Sequence, residues 1–212
     1  MRFLLHCFKL PLVFILLTFS LSSQAADWRF KVLLDGDEIG YHNFNVTTNS
    51  PETVTIKADF KVKFLLVTAY EYNHNNTEIW TDGCLQKISS NTDDNGEEFW
   101  VNGEQQGDQF VVKNKQGSTS LSGCVMSFAY WRPELVKQKQ LLNSQTGEYI
   151  NVNIQDRGQD SITVQGKSVT ANHYVITGKG LDDIELWYSA DGRWLRLAST
   201  TEDGYRIIYE LQ

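Results

Sequence analysis

The sequence predicts a mainly β protein: an antiparallel meander curled into a barrel, half-barrel or β-roll, with one main α-helix near 133–142. Three observations predict it. First, turn pairs punctuate the chain at Asp35-Gly36, Asp82-Gly83, Asn95-Gly96, Asn102-Gly103, Asp191-Gly192 and Asp203-Gly204, with looser signals at Gly107, Gly117, Gly158 and Gly166. Asn-Gly and Asp-Gly tolerate the positive φ that two-residue hairpins need, and their spacing is that of a strand meander. Second, the chain alternates between these pairs. Val54, Ile56, Ala58, Phe60, Val62 and Phe64 fall on one side, and Thr55, Lys57, Asp59, Lys61 and Lys63 on the other. A period of two places such sets on opposite faces of a sheet. Third, one segment breaks this rhythm: Pro133 and Glu134 suit a first helical turn, and good helix formers follow to Leu142.

Taken in order, strands are expected at 28–34, 38–48, 53–65, 68–81, 84–92, 97–101, 108–114, 148–155, 160–165, 168–178, 182–189, 193–201 and 205–211. The pattern is clear again at the C-terminus, where Tyr205, Ile207, Tyr209 and Leu211 share a face. So many strands exceed what one flat sheet carries, so the sheet should curl, which shortens its exposed edges. The helix, with Leu135, Leu141 and Leu142 turned inward, would cover one opening or face.

The domain division is 1–26 as a signal peptide and 27–212 as a single β-rich domain. Arg2 and Lys9 precede an apolar run, Leu10–Leu17, and Ser23-Gln24-Ala25 fits the small-x-small rule for cleavage after Ala25 or Ala26. Cys7 precedes the apolar run and so is not a lipoprotein cysteine. No second long apolar run follows, so no membrane span is expected after cleavage. Losing Arg2 and Lys9 takes the net charge from −7 to −9. An acidic surface repels phosphate backbones and anionic lipid, which argues against nucleic acid as a partner.

Cys84 and Cys124 are the thiols left after cleavage. An even count in an exported chain reads first as a disulfide, and the competing reading is a nucleophilic Cys124, for which no Cys-His pattern speaks. There is no G-x-S-x-G, H-E-x-x-H or P-loop. His42, His74 and His173 fall on three different expected strands without metal-ligand spacing, so no metal and no cofactor is implied. Acid clusters at Asp35/Asp37/Glu38, Asp93/Asp94/Glu97/Glu98 and Asp182/Asp183 suit turns. A spatial pair of carboxylates for hydrolysis would leave no sequence signature.

Two stretches stand out as binding candidates. Tyr70–Trp80 mixes aromatic and polar residues without a clean apolar face. It reads either as an outward face plus a bulge or as the lining of a ligand pocket, in which case His74, Asn76 and Glu78 would meet the ligand. Gly123–Trp131 adds Tyr130 and Trp131. The tryptophans can pave an apolar cavity or fill an ordinary core.

The phrases WRFKVLLDGDEIGYHNF (28–44), EIWTDGCLQKI (78–88), NTDDNGEEF (91–99), GCVMSFAYWRPELVKQKQLLNSQTGEY (123–149) and DIELWYSADGRWLRLAST (183–199) resemble an exported, Gram-negative periplasmic family known only as a domain of unknown function. The resemblance spans the whole mature chain. It implies a periplasmic location and cysteines recurring at positions matching Cys84 and Cys124, and it brings no catalytic residues. Arg132 stands where that family tends to carry Asn before the proline, which removes a helix N-cap.

The leading expectation is therefore an exported protein, more a binder than an enzyme, holding a lipid-like or other hydrophobic ligand in a curved sheet. The rivals are a structural or partner-binding cell-envelope protein without a cavity, and a carboxylate-dependent hydrolase.

Overall fold

The protein is described here by a computed structural model covering residues 26–47, 50–64, 67–201 and 203–212. The expected leader lies outside the described residues except for Ala26, which opens the first strand. The strands are β1 (Ala26–Leu34), β2 (Asp37–Thr47), β3 (Glu52–Phe64), β4 (Val67–Thr81), β5 (Cys84–Asp94), β6 (Glu97–Gln106), β7 (Gln109–Asn114), β8 (Gly117–Ser122), β9 (Gln140–Leu142), β10 (Tyr149–Val164), β11 (Lys167–Gly178), β12 (Ile184–Tyr188), β13 (Trp194–Thr200) and β14 (Arg206–Leu211).

All belong to one 14-stranded sheet in the order β8-β7-β6-β5-β4-β3-β2-β1-β14-β13-β12-β11-β10-β9. Every neighbour in the sheet is a neighbour in sequence except β1 and β14, which pair with Phe30 opposite Leu211. Two meanders, β1–β8 and β9–β14, are thus joined at their first and last strands. The sheet curls but does not close. Its inner face carries the main core, in which Phe30, Phe44, Trp80, Phe110 and Trp194 are almost fully buried. The alternation read from the sequence holds on β3: Val54, Ile56 and Ala58 are buried, while Thr55 and Lys57 are exposed. A smaller cluster around Trp187, Ile162 and Leu195 lies apart from this core.

The connection from β8 to β10 fills the seam. Leu85 N donates to Val125 O at 2.9 Å, Leu142 N to Met126 O at 2.8 Å and Phe128 N to Leu142 O at 3.2 Å. Residues 125–128 therefore form a strip between the start of β5 and the short strand β9. The Cys84–Cys124 disulfide, with Cα atoms 5.0 Å apart, fastens this strip to β5. Farther along, Asn114 Nδ2 donates to Thr146 O at 2.7 Å, and Tyr188 OH donates to Tyr130 O at 2.8 Å. The connection is thereby anchored to both meanders.

Four expectations are corrected. There is no main helix near 133–142: a single 3-10 turn, Pro133–Lys137, gives way at Gln138 to extended backbone (φ −79°, ψ 153°) and then to β9. Arg132 supplies no capping hydrogen bond. Leu141 and Leu142 are both fully buried because β9 lies between β10 and the 125–128 strip. Adjacent buried leucines fit a helix equally well in sequence.

Asn102-Gly103 is no turn. It lies inside β6, where a Cβ on Gly103 would come within 2.5 Å of the Phe110 ring and 2.8 Å of Ile88. The glycine makes room for a core phenylalanine. The expected strands 148–155 and 160–165 are one strand, β10, carried through a bulge at Asp156/Gly158. Strand β8, Gly-Ser-Thr-Ser-Leu-Ser, was not expected. It is an edge strand and buries only Leu121, so it lacks the apolar alternation that reveals a strand.

Candidate functional site

The bonding partners of β4 fix which of its residues face inward. His74, Asn76, Glu78 and Trp80 are buried, whereas Asn75 and Thr77 are exposed. For residues 74–80 this overturns the outward-face reading: the polar row lies on the inner face, continuous with the core through Trp80. Buried polar groups cost stability unless they are hydrogen-bonded, and most of this row is. Glu78 Oε1 accepts from Asn76 Nδ2 at 2.9 Å, and Oε2 accepts from Trp80 Nε1 at 3.0 Å and Ser127 Oγ at 3.1 Å. His74 Nδ1 lies 2.7 Å from Thr92 Oγ1, and its Nε2 lies 3.4 Å from Ser144 Oγ.

Above this row is a partly open cavity of about 340 Å³. The first meander contributes His42, Phe44, Ile56, Tyr72, His74 and Glu78. The seam contributes Ser127, Phe128, Tyr130 and residues 143–145. The second meander contributes Ile184, Leu197, Ile207 and Tyr209, with Leu181 and Asp182 at the loop before β12. Of the residues singled out in sequence, His74, Glu78 and Tyr130 thus border one cavity. Asn76 lies behind Glu78. Trp131 is packed away in the core, its ring 5.7 Å from Phe44 and 6.2 Å from Trp80.

Burial sets the electrostatics. It pushes the Glu78 carboxyl up to about 7, with the three hydrogen bonds and the nearby Arg132 charge pulling the other way. The His74 imidazole is pushed down to about 4 by burial. His42 falls well below its usual range, again by burial and secondarily by its proximity to His74. Both rings are therefore neutral at pH 7. Burial raises Tyr72, Tyr130 and Tyr209, so the phenols stay protonated. Arg132, whose charge acts on Glu78, is committed elsewhere: it pairs with Glu52 at 2.6 Å and lies over the Trp80 ring at 4.7 Å.

Ser144, His74 and Thr92 are in the order of a nucleophile, a base and an orienting group. An imidazole protonating near pH 4 is a weak base at neutral pH, and 3.4 Å is a long contact, so the arrangement is poor for acyl transfer. Among the described residues no three His, Cys, Asp or Glu side chains gather as a metal ion requires.

Sequence reasoning did not single out His42, Tyr72, Tyr209, Ser127 or Ser144 as site residues. For His42 and Tyr72 a signal existed in strand parity: His42 shares a face with Phe44 and Val46, and Tyr72 with Trp80. Ser127 and Ser144 lie on an irregular connection, where periodicity says nothing. His173, the remaining histidine of the domain, is away from the cavity, stacked on Trp187 at 4.4 Å and 2.9 Å from Glu185.

Among solved structures, the chain is similar to a β-barrel-like protein of the domain of unknown function DUF1849 from Brucella abortus. The TM-score is 0.66 at 14% identity, covering 89% of this chain and 95% of that one. At that identity the likeness establishes a shared fold. No curated protein shows significant similarity to the sequence. Residues 30–212 match DUF6134, described as a domain of unknown function, and the chain belongs to that family.

Proposed function

We propose that this protein is an exported, non-enzymatic binder that holds a small, largely apolar, lipid-like molecule in the concavity of its sheet. The observation that carries the reading is the placement of His74 and Glu78 on the inner face of β4, bordering a cavity, where a core built for stability alone would take apolar residues. Buried polar groups converging on a concave space with apolar walls are the general form of a small-molecule site. Phe44, Ile56, Leu197 and Ile207 supply the walls. The cavity belongs to neither meander alone, so it depends on the whole fold.

Export is supported by the order of charges, apolar residues and small residues in 1–26, and by the Cys84–Cys124 disulfide, a bond that persists in oxidising compartments. Among the described residues no helix is long and apolar enough to cross a membrane. The carboxylates that border the cavity are Glu78, whose oxygens already accept three hydrogen bonds, and the exposed Asp182, which is a weak basis for hydrolysis.

Native mass spectrometry of protein purified gently from its own cell envelope tests the reading. The expected result is a co-purifying species lost on delipidation, with saturable rebinding of an apolar fluorophore by the stripped protein. Absence of both would overturn it.

A further inference from the structure

The chemistry of the lining narrows the ligand. Among the described residues no lysine or arginine borders the cavity. Arg132, the guanidinium whose charge acts on Glu78, is held by Glu52 and by the face of Trp80. Its acidic groups are Glu78 and Asp182. An anionic head group would therefore be desolvated without a counter-charge and would face carboxylates, a costly arrangement. A cationic head group would have to compete at the floor for Glu78, whose two oxygens already take three of the roughly four hydrogen bonds they can accept, from Asn76, Trp80 and Ser127.

Uncharged hydrogen-bonding groups are abundant by contrast. One of them is without a partner: His42 Nε2 is buried and makes no hydrogen bond, while Nδ1 of the same ring lies 3.3 Å from Tyr209 OH. The ring is held in place by stacking on Phe44 at 4.4 Å. An unpaired ring nitrogen on a residue that borders the cavity is a group that a ligand atom can satisfy once it reaches the ring edge. Whichever tautomer it adopts, a hydroxyl can meet it, since a hydroxyl both donates and accepts.

We infer that the cavity selects an uncharged amphipathic molecule, an alcohol rather than a carboxylic acid or an amine, with its polar end against His42 and its hydrocarbon on Phe44, Ile56, Leu197 and Ile207. This rests on the ligand-binding reading above and deepens it. The same reasoning weighs against fatty-acid anions.

The test is a matched series on the full, delipidated, disulfide-intact protein at pH 7.5: 1-decanol, decanoate and decylamine, each measured by displacement of the neutral probe N-phenyl-1-naphthylamine. Decanol should bind at least about tenfold more tightly than either charged analogue, the ratio expected when an unpaired charge must be buried. H42F should weaken decanol roughly three- to tenfold relative to the probe, the value of one hydrogen bond. Decanoate or decylamine matching decanol would overturn the inference while leaving the binding reading standing. Failure of the probe and all three ligands to bind would overturn both. Should H42F fold poorly, the wild-type series still decides.

Discussion

Replacing Glu78 by glutamine should change how the stability of this protein depends on pH, because two buried titrations oppose one another in it. The Glu78 carboxyl is raised from 4.5 to about 7 by burial. A folded-state value above the unfolded one means that the folded protein holds this proton more tightly. Its contribution is thus fully present below pH 4.5 and is lost as pH rises through 7. The shift corresponds to about 3 kcal/mol. His74 runs the other way. Its value falls from 6.5 to about 4, so the unfolded chain binds that proton more tightly, and stability present above pH 6.5 is lost as pH falls toward 4. That loss is also about 3 kcal/mol.

In the wild type the two largely cancel between pH 4.5 and 6.5, leaving the acid weakening that comes from His42. E78Q removes the carboxyl term alone. Glutamine retains an oxygen that can accept from Trp80 and Ser127, and its amide can face Asn76, whose Oδ1 has no partner in the wild type. The stability of E78Q relative to wild type should therefore rise by about 3 kcal/mol between pH 4.5 and pH 8. Urea unfolding at four pH values across that range, with the disulfide intact, measures the difference. Curves for the two proteins that stay parallel to within about 1 kcal/mol would refute the reasoning, since a buried Glu78 cannot be removed without changing the proton count.

Other perturbations follow from the same geometry. H74Q removes one of the two depressed imidazoles, so its stability to urea relative to wild type should rise by about 3 kcal/mol as pH falls from 7 to 4. Replacing both Cys84 and Cys124 by alanine opens a loop of 40 residues and should cost about 4 kcal/mol, or roughly 10 °C in Tm by scanning calorimetry; an unchanged Tm would mean that the seam holds without its staple. G40A should be far worse than G36A. A Cβ on Gly40 would lie 1.9 Å from the Asp59 carbonyl oxygen across the β2–β3 pair, whereas Gly36, in a hairpin turn at φ +94°, has open space around it. The first should cost about 3 kcal/mol or more and the second about 1, by urea unfolding.

The legible part of this fold is the part governed by period two. Strand β3 alternates so regularly that its ends and inward face can be read from residues such as Val54 and Ile56. Four hairpins have positive φ at both central positions, at Asp35-Gly36, Asp82-Gly83, Asn95-Gly96 and Gln165-Gly166. The first three carry the sequence signal and the fourth, led by Gln, does not. What escaped was decided by tertiary context. The Leu141-Leu142 pair is buried from two sides by the seam, and Gly103 is small because Phe110 lies over it. The site was half visible. The parity of Trp80 assigns His74, Asn76 and Glu78 to the interior, but their polarity argues for the exterior, and the conflict is resolved only by the hydrogen bonds from Ser127 and Thr92. Such local disagreement with the global pattern is where functional residues concentrate.

The pairing of β1 with β14 also sets an order of events. Each meander is built from neighbours in sequence and can form as its own strands are made, at low entropic cost. The joint between them cannot, because Phe30 must wait for Leu211, about 180 residues later. The cavity has His42 and His74 from one meander and Ile184, Leu197 and Tyr209 from the other. Its walls therefore meet only when the last strand docks. Until then the two half-sheets expose the faces that will become the core. On the proposed binding reading, a ligand present during assembly should favour the joined state over its separated halves.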